Sequence, residues 1–425
     1  MLWLCKPVSS KKRFAPNRQL TRDYSFTLYE KAEQIPAAEW QALCAPGEIF
    51  LEKDYLKIVE DCSYSHLQCR YLSVYHKGRI CGILYFQVID FKAGVFGDLM
   101  VNQLDNMRSH RWKLFERYID SNRDEILLRL FTCGNNLMSG EYGFKFSDDL
   151  SDKKRSELLL RLTDIVAREE KLRGTISATL LKDYYKPLQP ASLLRSEGYS
   201  EFLIEPNMMI HIPDGIKTLD EYVALFSKKY RKRARGIFES GQAIQERELS
   251  AADLRTYQHT MYGLYENIFG NAKFKLLKLS EDYFIRVKDL FPEQFHVKGF
   301  FLGDEMLAFG SCFRMPDKSL EAHYIGFDYA RNQQYNLYQN LLYALLAEAI
   351  RSGSRTVNLG RTASEIKTTV GAKAHNLYCY IKPQNTVSRL IQKPFITFLQ
   401  PEPWVARNPF REESASPKVE KLKQA

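Results

Sequence analysis

Residues 337–372 read LYQNLLYALLAEAIRSGSRTVNLGRTASEIKTTVGA, and the order of patterns within them sets the fold class. Leu337, Leu341, Leu342, Leu345, Ala349 and Ile350 recur at the spacing of a helix with one apolar face. Asn336 stands where a cap belongs, Gln339 occupies the third helical position, and Gly353 supplies a stop. A short apolar run, Arg355 to Leu359, then predicts a strand. It opens into a polar loop bounded by Gly360 and Gly371, and a further strand is expected from Asn376 to Ile381.

Upstream of the helix, three strands are expected at His296 to Leu302, Met306 to Arg314 and Leu320 to Phe327. Gly303-Asp304-Glu305 and Pro316-Asp317-Lys318 supply the turns. Strict alternation on the third strand puts Glu321, His323 and Ile325 on one face, with Ala322 and Tyr324 on the other. Antiparallel strands, a crossover helix, then a parallel strand beside the third give a mixed sheet with a helix on one face. Ligands enter such sheets at the carboxyl ends of the strands, so the polar loop before Leu337 and the loop after Leu359 are the places to look for a site.

The same grammar occurs earlier. Arg70 to Val74 and Arg79 to Ile89 read as strands around His76-Lys77-Gly78, followed by an apolar stretch from Val95, a helix from Trp112 to Ile119 and a strand from Ile126 to Thr132. That strand ends in CGNNLMSGEYGF, and a helix (Glu157 to Leu172) and a strand (Thr175 to Leu181) follow. An internal duplication is expected on this basis. It divides the chain into an N-terminal extension (1–47), a first unit (48–204), a second unit (205–390), and a C-terminal extension with a polar tail (391–425).

The run from His296 to Ile381, above all LGRTASEIKTTVGA and the helix before it, resembles the acyltransferase domain of GNAT-fold, FemAB-like proteins, of the kind found in bacterial polysaccharide or cell-envelope proteins. The basic segment KKYRKRARGIFESG is similar to the one that opens the second unit of Fem-type transferases. The resemblance implies an α/β (α+β) fold of two tandem GNAT-like units, each a mixed sheet flanked by helices. It also implies transfer of an acyl group from a thioester donor, acyl-CoA as co-substrate with no permanently bound cofactor, to an amine of a small molecule or envelope precursor. A noncatalytic binding module on the same fold and an aminoacyl-tRNA-dependent transferase are the alternatives.

By analogy with that fold, Glu321 and His323 are the candidates for the base that deprotonates the amine. The segment Arg331-Asn332-Gln333-Gln334-Tyr335-Asn336 stands where a glycine-rich pyrophosphate loop is expected, although it contains no glycine. Arg331 and the stretch Gln334, Tyr335, Asn336, Leu337 and Tyr338 are the expected donor contacts, with backbone amides at the helix start receiving the phosphates. Arg361, Glu365 and Lys367 follow a buried strand, and arginine or lysine there is expected to meet an anionic part of a substrate. In the first unit, Asn135 and Glu141 lie in the equivalent loop and are expected to bind the acceptor.

Composition narrows the field. Lysine and arginine number 61 against 51 acidic residues, a net charge of +10, which suits an anionic partner without choosing one. The sequence SKKYRKRARGIFESG predicts a helix whose Tyr230, Ala234, Ile237 and Phe238 form the buried stripe. Its cations then form a solvated face, with contact to an anionic membrane surface possible and no DNA-binding motif in view. The eight cysteines are scattered and never in C-x-x-C spacing, so no metal site is expected and reduced thiols in a cytoplasmic protein are. No secretory h-region follows Met1, and no apolar stretch reaches the length of a membrane span. No phosphate-binding P-loop, dinucleotide fingerprint, nucleophile elbow or zinc-peptidase helix is present.

Overall fold

Lys77 and Gly78 both take positive φ (49° and 79°), the two-residue turn whose twist matches that of an antiparallel hairpin. It joins Leu67–His76 (β3) to Arg79–Lys92 (β4), the longest hairpin of the chain, and the first sheet grows outward from it. The computed structural model describes residues 17–44, 47–62, 66–92, 127–271 and 277–411. The described residues up to 205, with 277–290 and 376–402, form unit 1. Residues 206–271, 291–375 and 403–411 form unit 2. The apolar stretch from Val95 and the helix expected from Trp112 lie outside the described residues.

Unit 1 contains Arg18–Gln19 (β1), Tyr24–Tyr29 (β2), the β3/β4 hairpin, Leu127–Cys133 (β5), Phe144–Phe146 (β6) and Ala178–Tyr184 (β7). Its sheet runs β1-β2-β3-β4-β5-β7, with β6 on β4, and is closed by Lys373–Pro383 (β14) lying antiparallel to β7. The helix Asp152–Lys171 (α2) crosses over from β5 to the parallel β7. Ser151 caps it by accepting the Lys154 N–H, and Leu158, Leu159, Leu162 and Val166 pack on Phe131, Cys133 and Leu181. On the other face, Leu128, Leu130, Leu180, Leu377 and Ile381 meet Phe395 of Thr386–Leu399 (α9).

Unit 2 contains the part of Ser200–His211 (β8) from Pro206 onward, Gln245–Glu248 (β9), Phe295–Leu302 (β10), Glu305–Arg314 (β11), Ser319–Phe327 (β12) and Thr356–Asn358 (β13), in the spatial order β8-β13-β12-β11-β10-β9. Among the described residues of this unit, only β12 and β13 are parallel neighbours. The crossover between them is Leu337–Arg351 (α7), preceded by Tyr329–Tyr335 (α6). Leu342, Leu345, Leu346 and Ala349 of α7 pack on Cys312, Leu320 and Val357, and Gly310 lets Leu341 approach the sheet. Gln258–Asn271 (α5) covers the opposite face at Gly326, where a β-carbon would lie 2.6 Å from the Leu264 carbonyl carbon and 2.7 Å from the Tyr265 nitrogen. Leu219–Ala224 (α3), Lys228–Ser240 (α4) and Ser364–Thr368 (α8) complete the unit.

The fold class is the expected one, a mixed sheet flanked by helices in each of two units, but the expected ranges differ from the observed ones. Asn376–Ile381 was assigned by sequence order to the second unit. It pairs with Leu180, Leu181 and Tyr184 of unit 1, while Met209–His211, following unit 1 in sequence, pair with β13. Hydrogen bonding rather than chain proximity decides membership. The expected extensions are also integral. Tyr24–Tyr29 form a full strand on β3, Trp40 is wholly buried with its Nε1–H on the Leu51 carbonyl, and Phe410 packs against Tyr222 and Phe226 in unit 2. Among the described residues the seven cysteines are buried free thiols, and no helix is long and apolar enough to cross a membrane.

Candidate active site

The parallel ladder between β12 and β13 covers only Ser319–Thr356, Leu320–Val357 and Glu321–Asn358. Beyond it β12 runs on to Phe327, while Leu359 and Gly360 stay beside β8: the Leu359 N–H donates to Met208 O (2.8 Å) and the Met208 N–H to Gly360 O (3.0 Å). The strands therefore part at their carboxyl ends, and the last pair before the opening consists of a carboxylic acid and an amide. In a sheet of this kind that opening is the natural ligand entrance.

A β-bulge sets what faces the opening. Gly310 pairs with Ile325 and Cys312 with Ala322, so the bulge falls at His323–Tyr324. The Ser311 hydroxyl fills it, accepting from the Tyr324 N–H (3.0 Å) and donating to the Tyr324 carbonyl (2.8 Å). Alternation consequently slips by one. Leu320 and Ala322 pack on the α7 side, and so do Ile325 and Phe327 after the bulge. The expectation that Ile325 shares a face with Glu321 is corrected by this irregularity. Tyr324 meets Tyr265 of α5 at 5.7 Å, and His323 stands edge-on to Phe313 (5.1 Å) and Phe295 (5.9 Å). Phe295, Phe313, Glu321, Asn358 and Met209 form one row across the sheet.

Within this row Asn358 Nδ2 donates to Glu321 Oε2 at 2.8 Å, and Asn358 Oδ1 accepts the Gly360 N–H at 2.9 Å. The second bond fixes the amide, since only its oxygen can accept from a backbone N–H. Burial raises the half-buried Glu321 carboxyl to about 8, Asp317 adds to the rise, and the Asn358 hydrogen bond opposes it. An acid in that range exchanges a proton readily near neutral pH. Burial among aromatic rings pushes His323 the other way, to about 3, so its imidazole is neutral and weakly basic. Of the two expected bases, Glu321 has the suitable acidity. Asn207 is fully buried two residues before Met209, on the same strand face. Sequence reasoning missed both asparagines. The signal was an asparagine within each of two mostly apolar strands, PNMMIHI and TVNLG.

The segment expected to cradle phosphates is not a loop. Residues 329–335 are helical, and Asp328 caps them by accepting the Ala330 and Arg331 N–H groups. Asn336 is left-handed (φ 47°) and gives α7 no side-chain cap; its Nδ2 donates instead to Ser240 Oγ (2.9 Å). The Tyr338 N–H, one of the amides expected to receive a phosphate, donates to Asn332 Oδ1 at 2.9 Å. Leu337 is buried, and Gln334 is exposed on α6. At this helix start the Tyr338 amide is therefore taken by the chain's own Asn332 side chain instead of being open to a phosphate.

The loop after β13 also differs from expectation. Lys367 is buried, and its Nζ donates to the carbonyls of Leu359 (2.8 Å), Gly360 (3.3 Å) and Arg361 (2.5 Å). It ties the loop to itself rather than offering a charge to a substrate. Glu365 pairs with the Arg407 guanidinium and holds the C-terminal segment. Arg361 is half-buried at the start of this loop, in the turn between β13 and α8.

In unit 1, Asn135 is buried, its Oδ1 accepting from the Leu137 N–H (3.0 Å) and from Gln87 Nε2 (3.4 Å). Glu141 accepts the Tyr185 N–H at 2.6 Å. Both have structural partners where acceptor binding was expected. The last ladder pair facing away from α2 is Thr132–Leu180, the counterpart of Glu321–Asn358, and it has no ionisable group. Among the described residues, no group of three or more His, Cys, Asp and Glu side chains is placed to hold a metal ion.

No protein-family model and no curated protein matches the chain. Among solved structures it is similar to FemX, at 12% identity over 85% of this chain and 98% of that one, with a TM-score of 0.48. It is also similar to a tandem GNAT protein from the clavulanic acid biosynthesis pathway, at 8% identity over 85% of this chain and 99% of that one (TM-score 0.47). A GCN5-related N-acetyltransferase from Sphaerobacter thermophilus matches at 10% identity over 85% of this chain and 96% of that one (TM-score 0.40). These are likenesses of fold, and at TM-scores of 0.40 to 0.48 they carry no argument about chemistry.

Proposed function

We propose that the chain is an N-acyltransferase that moves an acyl group from a thioester donor to an amine, with Glu321 as the proton acceptor. The observation that supports this reading is Glu321 itself: a carboxyl raised to about 8, held by Asn358, at the point where β12 and β13 part. As carboxylate it takes a proton from the acceptor ammonium. The freed nitrogen attacks the donor carbonyl carbon, the C–N bond forms, the C–S bond breaks, and the sulfur leaves with the electron pair and takes the second proton that the nitrogen sheds, giving the amide and a free thiol.

An acyl-CoA donor and a small-molecule or envelope-precursor amine are the substrate classes to try first. Release of free thiol from a panel of acyl-CoAs with amine acceptors is the assay. Wild-type turnover with a loss of about hundredfold or more in Glu321→Gln, at unchanged or higher stability, supports the reading. Equal rates for both proteins reject it.

A second reading, a noncatalytic binding module, is favoured by one observation: Asn332 takes the Tyr338 N–H where a phosphate would sit. Thermal-shift titration with acyl-CoAs separates the two, since a ligand of the folded state raises stability by mass action. No shift with any acyl-CoA favours the module; a shift favours the transferase.

A further inference from the structure

Helix α4 is held by its inner side. Ala234 and Ile237 are buried, Arg231 Nη1 donates to the Phe226 carbonyl at 2.7 Å, and Asn340 Nδ2 donates to the Ile237 carbonyl at 3.2 Å. Its outer side is therefore presented as a fixed surface. Lys228, Lys229, Lys232, Arg233 and Arg235 are exposed there, and among the described residues none of the five is in an ion pair. Glu239, in the last turn, is the one carboxylate of the helix. Other cations of the unit do find carboxylates: Arg314 and Arg351 meet Glu348, and Arg407 meets Glu365.

A second feature lies beside it. Residues 403–411 strap the start of α4: the Ser227 N–H donates to Pro409 O at 2.7 Å, Arg411 Nε donates to Phe226 O at 3.3 Å, and the Phe410 ring is 5.4 Å from that of Phe226. In this strap Trp404 is half-buried against the core, while Val405 is 57% exposed. An exposed aliphatic side chain on the strap that holds the start of a row of cations matches a bilayer interface, where headgroups take the charges and the acyl boundary takes the apolar step.

We propose that α4 and the 403–411 strap form a docking surface for anionic lipid membranes. Lysines on flexible stems suit a fluid array of headgroup phosphates. An exposed aliphatic residue gains at a bilayer interface and finds no stacking partner on nucleic acid. The surface is independent of the acyl-transfer site, so either conclusion can fail alone.

The test is co-sedimentation of the full chain with vesicles of phosphatidylcholine alone, or of phosphatidylcholine with phosphatidylglycerol, at low and at high salt, alongside titration with a structured RNA. Binding confined to anionic vesicles and lost at high salt is expected. The triple variant Lys228→Glu/Lys232→Glu/Arg235→Glu should weaken it by about a hundredfold or more, since each cation near such a surface contributes roughly fivefold. Val405→Asp should weaken it several-fold with every cation in place. Circular dichroism confirms that both variants are folded. Equal binding to neutral vesicles, undiminished binding of the triple variant, or binding to RNA but not to anionic vesicles would each overturn the proposal.

Discussion

Asn358 can offer Glu321 only its NH2 group, because the Gly360 N–H already claims its amide oxygen. The donor that partly stabilises the Glu321 carboxylate is thus positioned by the same turn that ends β13. Strand termination, site geometry and acidity share one cause, and the pair also couples the site to stability.

Folded Glu321 keeps its proton up to about 8, whereas in the unfolded chain it ionises near its ordinary value of 4.5. Between those values the unfolded state binds fewer protons, so stability falls as pH rises through the window and levels off above it. Glu321→Gln removes this dependence. Denaturant unfolding at about pH 5 and about pH 9 should show the variant gaining on wild type by roughly 4 kcal/mol across the window. Parallel pH curves for the two proteins would mean that the carboxyl titrates as in solvent.

His323 has the opposite sign. Its folded value is lowered to about 3 from 6.5, so its contribution is fully present above 6.5 and is lost as pH falls toward 3. His323→Phe should flatten the acid limb of the stability curve. In an assay with a working donor and acceptor, the wild-type rate should show no inflection near 6.5 and a rise toward 8 governed by Glu321. An inflection near 6.5 that disappears in the variant would return His323 to the role of base.

Most of unit 2 was legible because its signals are local. Alternation marks β10 and β11, Gly353 (φ 70°) ends α7 as its position suggests, and Glu321 and His323 do share a sheet face. What was not legible depends on partners distant in sequence. A serine in the middle of β11 gives no sign that its hydroxyl will replace ladder bonds on β12. Tyr378 and Tyr380 carry no mark of pairing with β7. Lys367, eight residues past Leu359, reads as a charge offered to a substrate until the left-handed Thr362 and Ala363 fold three carbonyls around it.

That cage makes Lys367 a stability residue. Lys367→Met keeps the stem but takes the ammonium from the Leu359 and Arg361 carbonyls, while Gly360 O keeps the Met208 N–H, and each charged hydrogen bond lost from a buried site costs about 1.5 to 3 kcal/mol. A loss of about 3 kcal/mol or more is expected in chemical denaturation. Glu365→Ala, which breaks the exposed pair with Arg407, should leave stability close to that of the wild type. Comparable losses from the two would show that the Lys367 cage opens to water.

The bulge that aims His323 and Tyr324 away from α7 depends on one hydroxyl. Ser311 is fully buried, and its Oγ both accepts from and donates to the Tyr324 backbone. Ser311→Ala removes both bonds and leaves a gap too small for a well-bound water, at a cost of roughly 1 to 3 kcal/mol. If the ladder then slid into regular register, Ile325 would turn toward the Glu321 face and the aromatic setting of His323 would be lost. The expected result in the variant is therefore faster amide hydrogen exchange at Tyr324, together with a His323 titration moved up toward 6.5, read by NMR of the histidine ring protons. Destabilisation with the His323 titration unmoved would mean that the backbone holds the bulge without the serine. The placement of the Glu321 face would then rest on the packing of α5 against Gly326 instead.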